Sequence, residues 1–349
     1  MTKVKLKSPL VDMLGIDYPI IQAAMGPLDT TNLAAAVSNA GGIGTISIPH
    51  CTDPEYAAKT MVEYLHKVQR MTDRNFAVNT PIGSEKTSAP VIKETFDAMI
   101  DAVCREREKD PDLRERLVLY TTSGGSPKRH NKKIHDAGFK HFHLVGSVRH
   151  ALVAETTGVD AVIASGSEMG GHTHWPEASI HTFILVPAVA QAVKIPVIAS
   201  GGICDAATFA AALAFGTVGV QMGTRFIATK ECDFHENYKR FVIDADEYSD
   251  IVVPSFISAL RCIKTEGAYD ILEVAKKAER GEIGDVEKQR ITDDAMRLGE
   301  RDGTGKGLIG AGQNSSRIKD LPSVSELIES MMEGSVSIFD KLSKLVVRE

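Results

Sequence analysis

The chain has 349 residues, 43% hydrophobic and 25% charged, with a formal net charge of −6. That balance leaves no global basic field to hold nucleic acid or an anionic membrane surface. Five scattered cysteines without a C-x-x-C spacing argue against a disulfide framework or a structural zinc and fit a reducing cytoplasm.

In chain order, the N-terminal segment MTKVKLKSPLVDMLGIDYP carries Lys3, Lys5 and Lys7, but Asp12 and Asp17 interrupt any apolar core. No signal peptide is expected. Short β-branched runs then alternate with helical patterns. The predicted strands are Pro19–Ala24, Gly42–Ile48, Phe76–Asn79, Leu117–Thr121, Lys140–Val145, Asp160–Ala164, Pro196–Ser200 and Gly219–Met222. The predicted helices between them include Thr30–Asn39, Asp53–Met71, Ala89–Arg107, Ser147–Thr156, Phe183–Val193 and Asp205–Phe215. Thr30, Asp53, Ser147 and Asp205 stand at N-cap positions. The longest apolar run, FILVPAVAQAVKIPVIAS, is broken by Pro187, Lys194 and Pro196 and is not expected to span a bilayer.

Eight β-then-α units predict an α/β fold, a (β/α)8 TIM barrel, over residues 1–243. From Asp244 to Lys306 the pattern becomes charged and helical, and an inserted helical subdomain without strands is expected there, either capping one side of the site or standing as a solvated appendage. Residues 307–349, opening on GTGKGLIGAGQ and ending in an amphipathic helix from Ser323, are expected to return to the barrel.

In such a barrel, phosphate commonly binds at the loops after strands seven and eight. Those loops read Ser200-Gly201-Gly202-Ile203 and Met222-Gly223-Thr224-Arg225. Glycine lets backbone N–H groups close on phosphate oxygens, and Thr224 adds a hydroxyl. No G-x-G-x-x-G follows strand one, so a ligand with one phosphate is expected rather than a dinucleotide. Ala23-Ala24-Met25-Gly26-Pro27 ends strand one with residues that suit a flat ring, and Asn79 ends strand three with an amide. Gln22 is free to face either the barrel interior or its helices.

The segment SEMGGHTHWPE, Ser167–Glu177, places His172 after two glycines. His172 and His174 lie two apart in a loop with no acidic partner at ligand spacing, which disfavours a metal. An imidazole near neutral pKa instead suits a catalytic base. His174, Trp175 and His181 read as loop structure or pocket wall.

PIIQAAMG, FAVN, DAVIASGSEMGGH, VIASGGI and VQMGTRFIATKEC, in this order, resemble the nitronate monooxygenase (2-nitropropane dioxygenase) family of FMN-dependent barrels. The resemblance runs from Pro19 to His235 and resumes at Gly310–Gln313. It implies that Ala24, Met25, Gly26, Asn79, Ser123, Gly171, Ser200 and Met222 contact FMN, that Gly201, Gly202, Gly223 and Thr224 hold its phosphate, and that His172 faces the substrate. Gly124 lies beside Ser123 in a loop that the family also brings near the cofactor. Met169 stands where the family has a small residue, and Thr-His-Trp-Pro-Glu follows His172 where many members have a further glycine.

The resemblance implies oxidation of alkyl nitronates with O2, with an NAD(P)H:quinone reductase as the alternative and an FMN-dependent enoyl-thioester reductase as a third. The Glu231-Cys232-x-x-His235 ending resembles the quinone reductase branch, in which NADH or NADPH would donate electrons. Nucleotide dehydrogenases on a similar barrel need a cysteine in the loop after strand six, and Ser165–Glu177 has none. The expectations are a small-molecule substrate, no nucleic-acid or membrane partner and a cytoplasmic location, with a homodimer left open.

Overall fold

The computed structural model describes residues 4–26, 29–49, 53–83, 90–174, 178–255 and 258–347. The elements follow as α1 (Pro9–Leu14), β1 (Ile20–Gln22), α2 (Thr31–Asn39), β2 (Thr45–Ile46), α3 (Pro54–Met71), β3 (Phe76–Pro81), α4 (Pro90–Lys109), α5 (Pro111–Arg116) and β4 (Leu117–Ser123). Next come α6 (Lys128–Asp136), β5 (Lys140–Val145), α7 (Val148–Thr156), β6 (Ala161–Ser165), β7 (Gly171–Thr173), α8 (Thr182–Ala192), β8 (Val197–Ser200), α9 (Ala206–Ala214) and β9 (Gly219–Met222). The chain ends with α10 (Thr224–Ile227), α11 (Glu236–Asp244), β10 (Asp250–Pro254), β11 (Ala259–Ile263), α12 (Glu266–Glu279), α13 (Asp285–Asp302) and α14 (Val324–Ser343).

Eight strands form one parallel sheet in the order β1-β9-β8-β6-β5-β4-β3-β2. Its two ends meet where Ile43 N–H donates to Ile20 O (3.0 Å) and Gln22 N–H donates to Ile43 O (2.9 Å). The (β/α)8 barrel read from the alternating pattern is therefore the fold. The expected strands all form, most with ends shifted by one or two residues and 42–48 reduced to Thr45–Ile46, because only pairable backbone counts as ladder while flanking apolar residues still pack.

Ile21, Ile43, Ala77, Leu119, Phe142, Ile163 and Ile198 fill one core with Leu10 and Leu14 of α1. A Cβ on Gly219, the first residue of β9, would lie 2.5 Å from Leu10 Cδ2. Helix α1 thus plugs the mouth where the strands begin and leaves the opposite mouth for a ligand. Three of the expected caps form: Asp53 accepts from Tyr56 N (2.7 Å), Ser147 from His150 N (3.1 Å) and Asp205 from Thr208 N (2.8 Å). Thr30 does not cap α2. Asp29, one residue earlier, accepts from Thr31 N at 2.9 Å and pairs with Lys67 at 2.6 Å.

Residues 244–306 are not all helical, which corrects the expectation. β10 and β11 form an antiparallel hairpin, and β11 pairs with β7 in the register Ala259↔Thr173, Leu260↔His172 and Arg261↔Gly171. The runs Ile251-Val252-Val253 and Leu260-Arg261-Cys262-Ile263 carry ordinary strand composition, outweighed in the sequence by the charged helices that follow. Val253, Leu260 and Cys262 pack with Ala268 and Ile271 of α12 and with Leu308. No helix among the described residues is long and apolar enough to cross a membrane.

Three buried histidines line the outer side of the β4–β5 region. Burial lowers the pKa of His130 to about 4, that of His141 to about 3 and that of His143 to about 4. Thr122 Oγ1 lies 2.8 Å from both His141 Nε2 and His143 Nδ1. Since the unfolded chain takes up these protons near pH 6.5 and the folded chain does not, stability is complete above that pH and falls as pH drops toward 4. Each buried histidine is expected to cost about 1 kcal/mol by about pH 5.5. Urea midpoints across that range should show the loss, and a His141→Gln/His143→Gln double variant should show a shallower one.

Candidate active site

The ends of β1, β3, β4, β6, β8 and β9 open into a cavity of about 950 Å³, closed on its far side by β7, β11 and α13. Ala24, Met25, Gly26, Asn79, Ser123, Gly171, His172, Ser200, Gly201, Gly202, Met222, Gly223 and Thr224, the residues singled out in the sequence, all line it.

The glycines differ in why they must be glycine. Gly201 and Gly202 have φ of +90° and +78°, a backbone region that side chains disfavour. A Cβ on Gly201 would also lie 2.9 Å from Gly166 O. Gly223 has an ordinary negative φ of −111°, and a Cβ there would face Ala23 and Met25 Sδ at 3.5 and 3.6 Å. These are ordinary contact distances, so neither the turn nor the packing against β1 excludes a Cβ, and its absence leaves the cavity side of the loop open. Thr224 Oγ1 accepts from Gly312 N at 2.9 Å, which keeps its own O–H as a donor. Two backbone loops without side chains and one hydroxyl are a suitable cradle for a single phosphate.

At the end of β1, Ala23 N donates to Met222 O at 2.8 Å, so the Ala24–Gly26 segment lies against β9. Asn79 Nδ2 donates to Thr121 Oγ1 at 2.9 Å, which orients the amide. Ser123 and Gly124 also reach the cavity. Gln22 does not. It is fully buried between β1 and β2, where its Oε1 accepts from Thr45 N at 2.9 Å.

His172 sits on β7 with its side chain exposed within the cavity, whose walls surround it at longer range. This desolvation lowers its pKa to about 4. Its Nδ1 lies 2.9 Å from Ser258 Oγ, and that hydroxyl donates to Ala259 O at 2.9 Å. With the serine proton on that carbonyl, His172 Nδ1 is the donor and Nε2 keeps its lone pair. At neutral pH the group is a base, not an acid.

The loop holding His172 is tied down on several sides. Glu168 accepts from Thr182 N (2.9 Å) and Thr182 Oγ1 (2.8 Å), and His181 Nδ1 lies 3.2 Å from it. Buried Arg261 donates from Nε to Ser167 O at 3.0 Å and pairs with Asp250. A Cβ on Gly170 would lie 2.4 Å from the Ala311 carbonyl carbon, whereas Gly171 is open and needs its φ of +67°. Gly170 thus admits the backbone of residues 311–312. His174 Nε2 donates to Ser165 O at 3.1 Å, and its ring fills the space a side chain on Gly146 would take. Trp175 lies outside the described residues.

Glu231 and His235 have structural duties: Glu231 accepts from Val324 N at 3.0 Å, and His235 Nδ1 caps α11 from Asn237 N at 3.1 Å. Sequence reasoning missed Gln221, Tyr238, Ser258, Glu300 and Asn314, all of which line the cavity. Gln221 and Asn314 adjoin the glycine segments and carried a positional signal. Tyr238, Ser258 and Glu300 reach the cavity through tertiary packing.

The nitronate monooxygenase family model matches residues 7–334. A (3aS,4S,5R,7aS)-5-hydroxy-7a-methyl-1-oxo-octahydro-1H-indene-4-carboxyl-CoA dehydrogenase of Mycobacterium tuberculosis is 28% identical, covering 98% of this chain and 100% of that protein. A probable nitronate monooxygenase of Staphylococcus saprophyticus is 32% identical, over 73% of this chain and 77% of its own. The solved structure of FabK from Thermotoga maritima superposes with a TM-score of 0.84 at 28% identity, covering 98% of this chain and 100% of that one. A family match that runs through nearly the whole chain, residues 7–334, makes this protein an oxidoreductase of the nitronate monooxygenase family.

Proposed function

We propose that the protein is an FMN-dependent oxidoreductase that removes two hydrogens from adjacent carbons of a bulky, largely apolar carbon acid, best matched by an acyl thioester, one leaving as a proton and the other as a hydride that carries the electron pair. The size and lining of the cavity carry this reading. About 950 Å³ is at the upper end for small-molecule sites, which run from ~300 to ~1,000 Å³. That leaves room for a cofactor and a large second ligand, and a small alkyl nitronate would underfill it. Ile92, Phe96, Phe234, Leu260, Met296 and Leu308 wall the part beyond the glycine loops. The carboxyl-CoA dehydrogenase matched end to end supports the same class.

FMN would be held by Gly201, Gly202, Gly223 and Thr224 at its phosphate. Ala24, Met25, Gly26, Asn79, Ser123, Gly171, Ser200 and Met222 would surround the rest. When bound, FMN supplies the acceptor for the electron pair. The chain supplies the base: His172 Nε2 takes the proton from the carbon that the thioester carbonyl acidifies. Ser258 fixes the ring's tautomer, and the apolar wall excludes water from the reacting carbon. A neutral base suits oxidation of the substrate, whereas an enoyl reductase needs a proton donor at this position. Both reductase readings also require NADH or NADPH, which this reaction does not.

The Staphylococcus relative supports a second reading, nitronate oxidation with O2. A preformed nitronate needs its charge matched more than it needs a base. Anaerobic mixing of the flavin-loaded protein separately with decanoyl-CoA, propyl-2-nitronate, NADH and NADPH decides the matter. Flavin bleaching by the acyl-CoA is expected. Bleaching by the nitronate alone reverses the order, and bleaching by nicotinamides alone turns the reading to a reductase.

His172→Ala should retain FMN and lose turnover by about 10²–10⁴-fold. Because the imidazole must be neutral to act and its pKa is about 4, wild-type kcat/KM should show no decline near pH 6.5. It should fall only as pH approaches 4, and stopped-flow flavin reduction across pH would show this limb. Gly202→Val and Gly223→Val should each lower FMN occupancy of the purified protein, read from the flavin-to-protein absorbance ratio. Heat-released cofactor should run as FMN and not FAD.

A further inference from the structure

Helix α13 presents Asp293, Met296, Arg297 and Glu300 to the cavity, a spacing that places them along one helical stripe. Arg297 is half exposed and donates to Asp294 at 2.6 Å. Glu300 has no such partner. Its side chain is 5% exposed, and its Oε2 is buried with no hydrogen-bond partner among the described residues. Among the polar groups near it, Tyr238 is already paired and donates its phenol O–H to Gly310 O at 2.8 Å. An orphan polar atom facing a cavity is costly unless a ligand completes it.

We propose that Glu300 is a ligand-recognition residue that donates the O–H of its neutral carboxyl group to a ketone or ester-type carbonyl oxygen, on the side of the cavity formed by α13. Burial raises its pKa to about 8, so the carboxyl carries its proton at neutral pH. A protonated acid discriminates by hydrogen bonding: an oxygen acceptor completes it, and a hydrocarbon of the same shape leaves it orphaned. The assignment rests on this cavity being the substrate site and is independent of which reaction takes place there.

The test uses the flavin-loaded protein and the bicyclic ketone 1-decalone, with the hydrocarbon decalin as control, and reads affinity by calorimetry without turnover. Glu300→Leu should weaken 1-decalone roughly tenfold, the scale of one lost buried hydrogen bond, and leave decalin unchanged. Glu300→Gln, which keeps a donor, should stay within about threefold of wild type. Infrared difference spectra near neutral pH should show a carboxylic acid C=O band that Glu300→Gln removes and 1-decalone shifts. This readout holds even where Glu300→Leu does not fold. Equal affinity for 1-decalone in wild type and Glu300→Leu would overturn the proposal. So would a loss in Glu300→Gln as large as in Glu300→Leu, a band unmoved by the ketone, or failure of wild type to bind the ketone. Loss of the acyl-CoA reaction alone would leave these readouts standing.

Discussion

Strand β11 is paired on both sides, and the site depends on that. One edge bonds β7 in a register that sets Leu260 opposite His172. The other edge pairs β10 from Asp250 to Pro254, while on the β7 edge Ile263 N donates to Ile309 O at 2.8 Å and Cys262 bridges to Gly310. A strand pairing holds backbone to a few tenths of an ångström, because a slip of one residue would turn every side chain to the opposite face. His172 therefore takes its position from a segment almost a hundred residues downstream. The same hairpin supplies Ser258, which decides which ring nitrogen keeps its lone pair.

From that pairing the rest of the wall follows. The chain leaving β11's neighbour passes Gly170 at backbone contact and delivers Gly312 N to Thr224, so the histidine loop and the last glycine loop share one strap. Arg261 links the Ser167 carbonyl to Asp250, and Glu168 gathers Thr182 and His181. A loop that would otherwise bury unpaired polar groups has them satisfied by neighbours on three elements. Rigid support of this kind lets a glycine-rich loop present a side chain in one orientation.

The cavity combines two chemistries in one volume. Its barrel side is backbone, small residues and hydroxyls, suited to a phosphate and a flat ring. Its other side is largely apolar and carries the imidazole of His172 and the buried carboxyl of Glu300, with Arg290, Asp293 and Arg297 of α13 also on its lining. His172 and Glu300 are neutral near pH 7 for the same physical reason: desolvation penalises the charged form, which lowers a histidine and raises a carboxyl.

Much of this was legible in the sequence. The alternation of β-branched runs with capped helices carries the barrel, since strands buried on both faces must be apolar along their length. The paired glycines at Gly201–Gly202 and at Gly223 mark loops where local backbone needs no side chain, and all lie at strand ends that the barrel's closure brings together. The histidine after two glycines stood out for the same local reason. Other features were not legible. The Ile251–Val253 and Leu260–Ile263 runs are short, and nothing local says that they pair with Gly171–Thr173. Glu231 and His235 looked chemical but serve as helix caps, because a carboxylate and an imidazole satisfy backbone N–H groups as readily as they serve a substrate. Glu300 sits in a charged helix whose sequence resembles any solvated one, and only packing turns it inward. Periodicity and strand-end composition, which are local, determined the barrel and the cradle. Long-range backbone pairing and burial decided the tautomer of His172, the roof of the cavity and the protonation of Glu300, because these depend on what lies opposite a residue in space.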